Sequence, residues 1–422
     1  MTAHALLVVI VVVSITLMLV RPRGIGEVYW IGAGVLLLLL LRLIPLRLAG
    51  HAAAKGMDVY LFLTGMMLLS ELAREQGVFD WLASAAVRHA RGSYARLFFL
   101  VYTVGTVVTI LMSNDATAVV LTPAILFAVR AAKVEPLPYL FVCAFIANAA
   151  SFVLPISNPA NLVLFHDQTP PLGRWLSWFA VPSLLAIAVT FVVLRWIFRE
   201  QLRASIAHTP EDHLLTAHGK LVVAGLAATA VVLLIASGLN WTLGLPTCLT
   251  AVVVTAIVTL KTRSNPLPLL REISWSTLAL VAGLFIMVAA VEPIGALEFT
   301  QRALAWANAA APSSGPLAAG FAVGVANNFV NNLPLGLIVG SAVRAVHVHG
   351  LIASAVLIGV DLGPNLSITG SLATILWLIA LRREKLEVGF WSFLRIGAIA
   401  MPIALLFSIG GAVAMHWCFG AP

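Results

Sequence analysis

Charge is scarce in this chain: 10% of its 422 residues are Asp, Glu, Lys or Arg, against 61% apolar ones. A soluble domain carries about 25% charged residues, so a water-exposed globule is excluded. Cysteine is almost absent. Cys143, Cys248 and Cys418 lie in three separate apolar stretches without metal-type spacing, which argues against a disulfide framework and a zinc site. Catalytic motifs are missing as well. There is no H-E-x-x-H, no G-x-S-x-G and no histidine in the middle of an apolar run, so an intramembrane enzyme is disfavoured. The absence of G-x-x-x-x-G-K-[ST] speaks against an ATP-driven pump. Most histidines sit in polar stretches, including His208, His213 and His218. Nothing calls for a cofactor or a metal.

What is present is apolar length. Runs such as Ala5–Val20, Leu221–Ser237 and Ile396–Ala414 approach the roughly 20 residues of a spanning helix. With a mean hydropathy of +1.02, the chain reads as an all-α polytopic membrane protein in a lipid bilayer. The first run lacks a basic leader and a small-residue cleavage site, and Arg21 and Arg23 follow it; it reads as a first span and not as a signal peptide. The net charge of +8 does not call for nucleic acid, because basic residues collect in the cytoplasmic loops of membrane proteins.

The chain reads as one unit written twice. TGMMLLSELAREQGVFDW (64–81) lies over AGLFIMVAAVEPIGALEF (282–299), and the same offset of 218 brings Ser113–Asn114 onto Asn331–Asn332. At an offset of 213, IANAASFVLPISNPANLVL (146–164) lies over GVDLGPNLSITGSLATILW (359–377). There Asn148 meets Asp361, and Ser157–Asn158 meet Gly370–Ser371. The halves are 1–218 and 219–422, joined by a polar linker, 199–218. Each half predicts five spans and one re-entrant hairpin, about 10 spans and 2 hairpins in all. The hairpins fall at 97–130, with tip Ser113-Asn114-Asp115, and at 315–346, with tip Asn331-Asn332. The fourth span of each half, 137–165 and 350–381, is broken. Pro155 and Pro159 bracket one break; Gly363-Pro364 and Thr369-Gly370-Ser371 bracket the other.

With this layout Arg42, Arg47, Lys55, Arg174, Arg302 and Arg344 fall on one side of the membrane and the other 19 of the 25 basic residues on the opposite side. The bias makes that side cytoplasmic, places both termini outside and the linker 199–220 inside, and, with five spans per half, inverts the second half. Inverted repeats with broken helices are the build of many secondary transporters. Unwound backbone at membrane depth is tolerated where it packs in protein or lines a wet cavity. Ser113, Asn114, Asp115, Ser157, Asn158, Asn331, Asn332, Thr369, Gly370 and Ser371 are therefore the candidate solute ligands. Neither broken span carries Lys or Arg, which suits a small, neutral, hydrogen-bonding solute. Asp115 and Asp361 are the deep acids. Burial disfavours a charged carboxylate, and intramembrane acids mark proton relays. They are the candidate proton carriers, with Asn148 the neutral repeat mate of Asp361. Glu71, Asp80, Glu292 and Glu298 lie near span ends, where a solvated role is the default.

GVDLGPNLSITGSLATILWL (359–378), GVFDWLA (77–83), SNDATAVVLTP (113–123), SNPANLV (157–163) and NNLP (331–334) together resemble the arsenite efflux permease family, a branch of the ion transporter superfamily, over most of the chain. The chain departs from that pattern at Asn148, Asn365 and Pro159. The resemblance implies export of trihydroxy-arsenic(III), and of antimonite, in exchange for protons across the inner (plasma) membrane. It also implies hairpin tips at the substrate site and elevator-type movement. Some relatives work with a cytosolic ATPase subunit, and a homodimer is compatible with the sequence. A sodium/proton antiporter, or a carrier of another small hydroxy-acid such as silicic acid, is the alternative. Ligation of arsenic by the three cysteines is disfavoured, because tight thiolate capture opposes release.

Overall fold

The computed structural model describes residues 3–165, 169–203, 214–295, 297–311, 313–348 and 350–419. His208, His213 and His349 lie outside the described residues. Among those residues the chain is all-helical, with no strand. The first half runs α1 (Ala3–Val20), α2 (Glu27–Leu40), α3 (Leu46–Lys55), α4 (Met57–Glu75), α5 (Val78–His89), α6 (Tyr94–Leu111), α7 (Asn114–Ala131), α8 (Leu137–Ala149), α9 (Pro159–Phe165) and α10 (Leu172–Ile197). The second runs α11 (Ala217–Gly238), α12 (Gly244–Thr262), α13 (Leu267–Glu272), α14 (Trp275–Val291), α15 (Glu298–Ala309), α16 (Ser314–Val330), α17 (Asn332–Val346), α18 (Gly350–Leu362), α19 (Leu372–Arg383) and α20 (Phe390–Phe419).

Seven helices among the described residues are long and apolar enough to cross a membrane, or eight when the bent pair α3–α4 (49°) counts as one span. That is fewer than the ten expected. The difference has physical causes. Breaks leave α8 and α18 at 13 residues each. The 14-residue α2 ends at a turn where Arg42 takes a left-handed backbone with φ +53°. Both arms at Ser113, α6 and α7, are 18 residues long and pass the length test singly, whereas α17, at 15 residues, does not.

Two bundles result, and each takes helices from both halves of the sequence. In one, α4 packs along α12, and α14 against α2 and α3. In the other, α10 packs along α20, α16 along α18, and α9 against α17. Glycine permits the closest of these contacts. A Cβ at Gly359 or Gly363 would collide with the backbone of Gly320 or Gly324 on α16. Leu36, Leu184, Val192, Val252, Val253 and Phe407 face outward, while Asn148, Asn158, Asn161, Asn327 and Asp361 are buried. A lipid-solvated protein keeps its polar groups inside in this way.

Candidate functional site

The residues between α6 and α7 form a tight, capped corner. Ser113 is extended, and its Oγ accepts from the Ala116 N–H at 3.3 Å. Asn114 and Asp115 then open α7. Beyond them the helix widens into a π turn at Thr117–Leu121, where the Thr122 hydroxyl donates to the Thr117 carbonyl at 2.9 Å. Such turns recur at functional sites. The corner between α16 and α17 is built alike. Asn331 has φ +76°, a conformation asparagine adopts more readily than most residues, and its Oδ1 accepts from the Leu333 N–H. Its Nδ2 donates to Thr369 O at 3.3 Å, and the Asn332 N–H donates to Gly370 O at 3.0 Å. The second corner is thereby tied to the second break.

The breaks end in caps too. Asn158 Oδ1 accepts from the Ala160 N–H at 3.0 Å, and Ser371 Oγ from the Thr374 N–H at 3.1 Å. Four helix N-termini thus converge on one small cavity. Its walls are Asn114 and Asp115 of α7, Pro159 of α9 with its cap Asn158, Asn332 and Leu333 of α17, and Leu372 and Ala373 of α19. Leu63 of α4 and Thr277 of α14, from the other bundle, close it.

First-turn N–H groups lack helical partners and carry partial positive charge, so the cavity offers hydrogen-bond donors. It offers acceptors as well. The Oδ1 atoms of Asn114 and Asn332 are buried and have no hydrogen-bond partner among the described residues. No Lys or Arg lines it. A larger cavity of about 160 Å³ shares Leu63, Asp115, Pro159, Thr277 and Leu372 with it. This one runs along α4 past Met66, Met67 and Ser70 to Glu71, Glu272 and Ser274 at its mouth. Glu71 is held there by the Arg74 guanidinium.

Of the sequence-predicted ligands, Asn114, Asp115, Asn158 and Asn332 meet in the small cavity, and Ser113 lines the larger one. Asn331 faces a neighbouring cleft between α17, α14 and α1. Four others line neither cavity. The Ser157 hydroxyl donates to Ile110 O at 3.0 Å, and Thr369 donates to Asn328 O at 2.8 Å. Gly370 supplies its carbonyl to Asn332, and Ser371 caps α19. Their polar groups are spent on backbone, which holds the breaks open. Asp361 is wholly buried one layer behind the cavity, and its Oδ1 accepts from Asn158 Nδ2. Asn148 donates to Asn365 Oδ1 at 2.9 Å, and Asn365 donates to Phe145 O at 3.1 Å. Leu63, Thr277, Pro159, Leu372 and Ala373 are lining residues that the sequence reading missed. The last three follow the predicted breaks; Leu63 and Thr277 carry no sequence signal. The cysteines line neither cavity; Cys143 is buried and Cys418 exposed.

Long apolar helices from end to end make this a multi-pass membrane protein, and its family makes it a transporter. The chain belongs to the citrate transporter family, CitMHS, whose model matches residues 1–362. It is 26% identical to an arsenical pump membrane protein of Escherichia coli over 97% of this chain and 98% of that one. It is 27% identical to the protein of that name from Yersinia enterocolitica, over 83% and 84%. In fold it resembles the Alcanivorax borkumensis YdaH transporter, with a TM-score of 0.57 at 16% identity, over 88% of this chain and 86% of that one.

Proposed function

We propose that this protein is a secondary active transporter that exports arsenite as neutral trihydroxy-arsenic(III), with antimonite as a second substrate, in exchange for protons. The observation that carries the reading is the meeting of Asn114 and Asn332, each with an unpartnered buried Oδ1, in a cavity otherwise lined by helix N-termini. Arsenious acid has three hydroxyls that donate and accept, and it is uncharged near neutral pH. The relatives named arsenical pump membrane proteins support the same cargo. Citrate, which gives the family its name, fits less well. Three carboxylates call for paired cationic side chains, and no Lys or Arg lines either cavity.

In this reading the two corners are tips of re-entrant hairpins in inverted repeats of 1–218 and 219–422. The face carrying Arg74, Glu71 and Glu272 is cytoplasmic, so the larger cavity is the entry from the cytoplasm. Asp115 carries the proton in contact with the solute. Asp361 carries it one layer behind, coupled to the cavity through Asn158. The bundle that holds both tips slides against the bundle that holds α4 and α14. A docked ATPase subunit and a homodimer are compatible additions. The test is uptake of arsenite by everted membrane vesicles under an imposed pH gradient, with and without sodium. Proton-driven, sodium-independent accumulation is expected. Proton movement driven by sodium and indifferent to arsenite would replace this reading with a sodium/proton antiporter, and selective uptake of silicic acid would replace the cargo.

A further inference from the structure

Each helix that leaves a polar corner carries an arginine in its last turn, Arg130 on α7 and Arg344 on α17, 214 positions apart. That spacing falls between the two offsets that relate the sequence halves. Each arginine reaches into the opposite half. Arg130 Nη2 donates to the main-chain oxygen of Glu384, the C-cap of α19, at 2.9 Å; its Nη1 donates to the Glu384 carboxylate at 3.0 Å. Arg344 Nη1 donates to Leu164 O, in the last turn of α9, at 2.9 Å, and its Nη2 to Ser341 Oγ at 3.2 Å. Both guanidiniums therefore cover carbonyls at the C-terminal end of the outer piece of the other half's broken helix. Carbonyls in the last turn of a helix carry partial negative charge, which a cation complements.

α9 has seven residues and α19 twelve, too few for a helix to hold itself in place. At their N-terminal ends, Pro159 and Leu372 line the small cavity. We propose that Arg130 and Arg344 are a repeat-related pair of positioning residues: each clasps the far end of the opposite broken helix to the helix leaving a tip, and so fixes the N-terminal turn that faces the solute. Two closed rings follow, in which a tip, its return helix, an arginine and a broken helix lead back to the same cavity.

The test uses the purified full-length protein and two readouts. The first is amide hydrogen exchange, which needs no knowledge of the cargo. Arg130→Ala is expected to speed exchange over 372–383 and Arg344→Ala over 159–165, each about tenfold or more, with the remaining helices unchanged. The second is arsenite transport in proteoliposomes, and it rests on the cargo reading above. Each variant loses two hydrogen bonds remote from the solute and is expected to raise KM about fivefold, with the maximal rate within about twofold. Arg130→Lys and Arg344→Lys keep the charge at the carbonyls and are expected to recover most of the affinity. Glu384→Gln removes only the ion pair and is expected to change KM less than Arg130→Ala does. Exchange that rises everywhere, or nowhere, overturns the clasps, as does a fall in maximal rate at constant KM. If the wild-type protein moves no arsenite, the cargo reading fails and the exchange result alone decides on the clasps.

Discussion

Asn158 and Asp361 lie 203 residues apart and are joined side chain to side chain in the interior of the cavity-bearing bundle. Asn158 faces the small cavity with its cap oxygen committed to the Ala160 N–H, and its amide is the link from that cavity to the buried acid. Asp361→Asn keeps an acceptor for that amide at nearly the same volume. The expected outcome is a folded protein that exchanges arsenite down its gradient but no longer accumulates it against one when a pH gradient is imposed. Asp361→Leu strands the Asn158 amide and should cost about 1–3 kcal/mol of stability, visible as a lower thermal midpoint. Proton-driven accumulation by both Asp361→Asn and Asp115→Asn would remove the two acids from the coupling.

Asn114 and Asn332 each present to the cavity a side-chain carbonyl oxygen without a hydrogen-bond partner among the described residues. Their truncation to alanine leaves the backbone bond from Asn332 to Gly370 in place. Each single change is expected to raise KM for arsenite about fivefold, the worth of one neutral hydrogen bond. The double change should raise it about 25-fold if the two contacts act independently. Initial rates of vesicle uptake across a concentration series check this. An unchanged KM in the double variant would place the solute elsewhere.

Much of this architecture was legible because its causes are local. Scarce charge and long apolar runs announce a helical membrane protein. Pro155, Pro159 and Pro364 announce breaks, because a proline lacks the N–H that a continuing helix needs. Span lengths were less legible, since the left-handed turn at Arg42 and the shortness of α8 and α18 depend on packing. At the site, residue type alone did not tell a hydroxyl aimed at a solute from one aimed at backbone. Ser157, Thr369 and Ser371 are of the second kind. Leu63 and Thr277 arrive from a different bundle, a tertiary relation that no motif encodes. Arg130 and Arg344 read in sequence as membrane-edge charge; only the fold shows what they touch.

None of the cysteines lines the cavities, although arsenic(III) is thiophilic. The variant Cys143→Ala, Cys248→Ala, Cys418→Ala is therefore expected to keep arsenite KM within about twofold, since the buried Cys143 acts as a small apolar residue and the other two lie away from both cavities. A loss of transport in the triple variant with its fold intact would bring thiolate ligation back.

Close packing sets a separate expectation at Gly363. A Cβ there would run into the Gly324 carbonyl and the Asn327 amide, and Asn327 itself donates to Val360 O at 2.6 Å. Gly363→Ala should therefore force α16 and α18 apart and cost about 1–3 kcal/mol, read as a drop in thermal midpoint. Gly410, whose Cβ position is open, is the control, and Gly410→Ala is expected to leave the midpoint unchanged or slightly raised.

The mouth of the larger cavity tests sidedness. Ser274 is exposed at that mouth and Met67 lies deeper along α4. Ser314 is exposed at the start of α16, on the face read as external. In the background lacking the three native cysteines, Ser274→Cys and Met67→Cys should react with a charged, membrane-impermeant thiol reagent in everted vesicles and not in intact cells. Ser314→Cys should do the reverse. Met67→Cys should react more slowly than Ser274→Cys, because the reagent must enter the cavity to reach it. Labelling of Ser274→Cys from the outside of intact cells would invert the assigned topology. Equal labelling of Met67→Cys from both sides would mean that the cavity is not open to one side only, and a carrier that exchanges solute for protons would then lack the closed barrier that coupling requires.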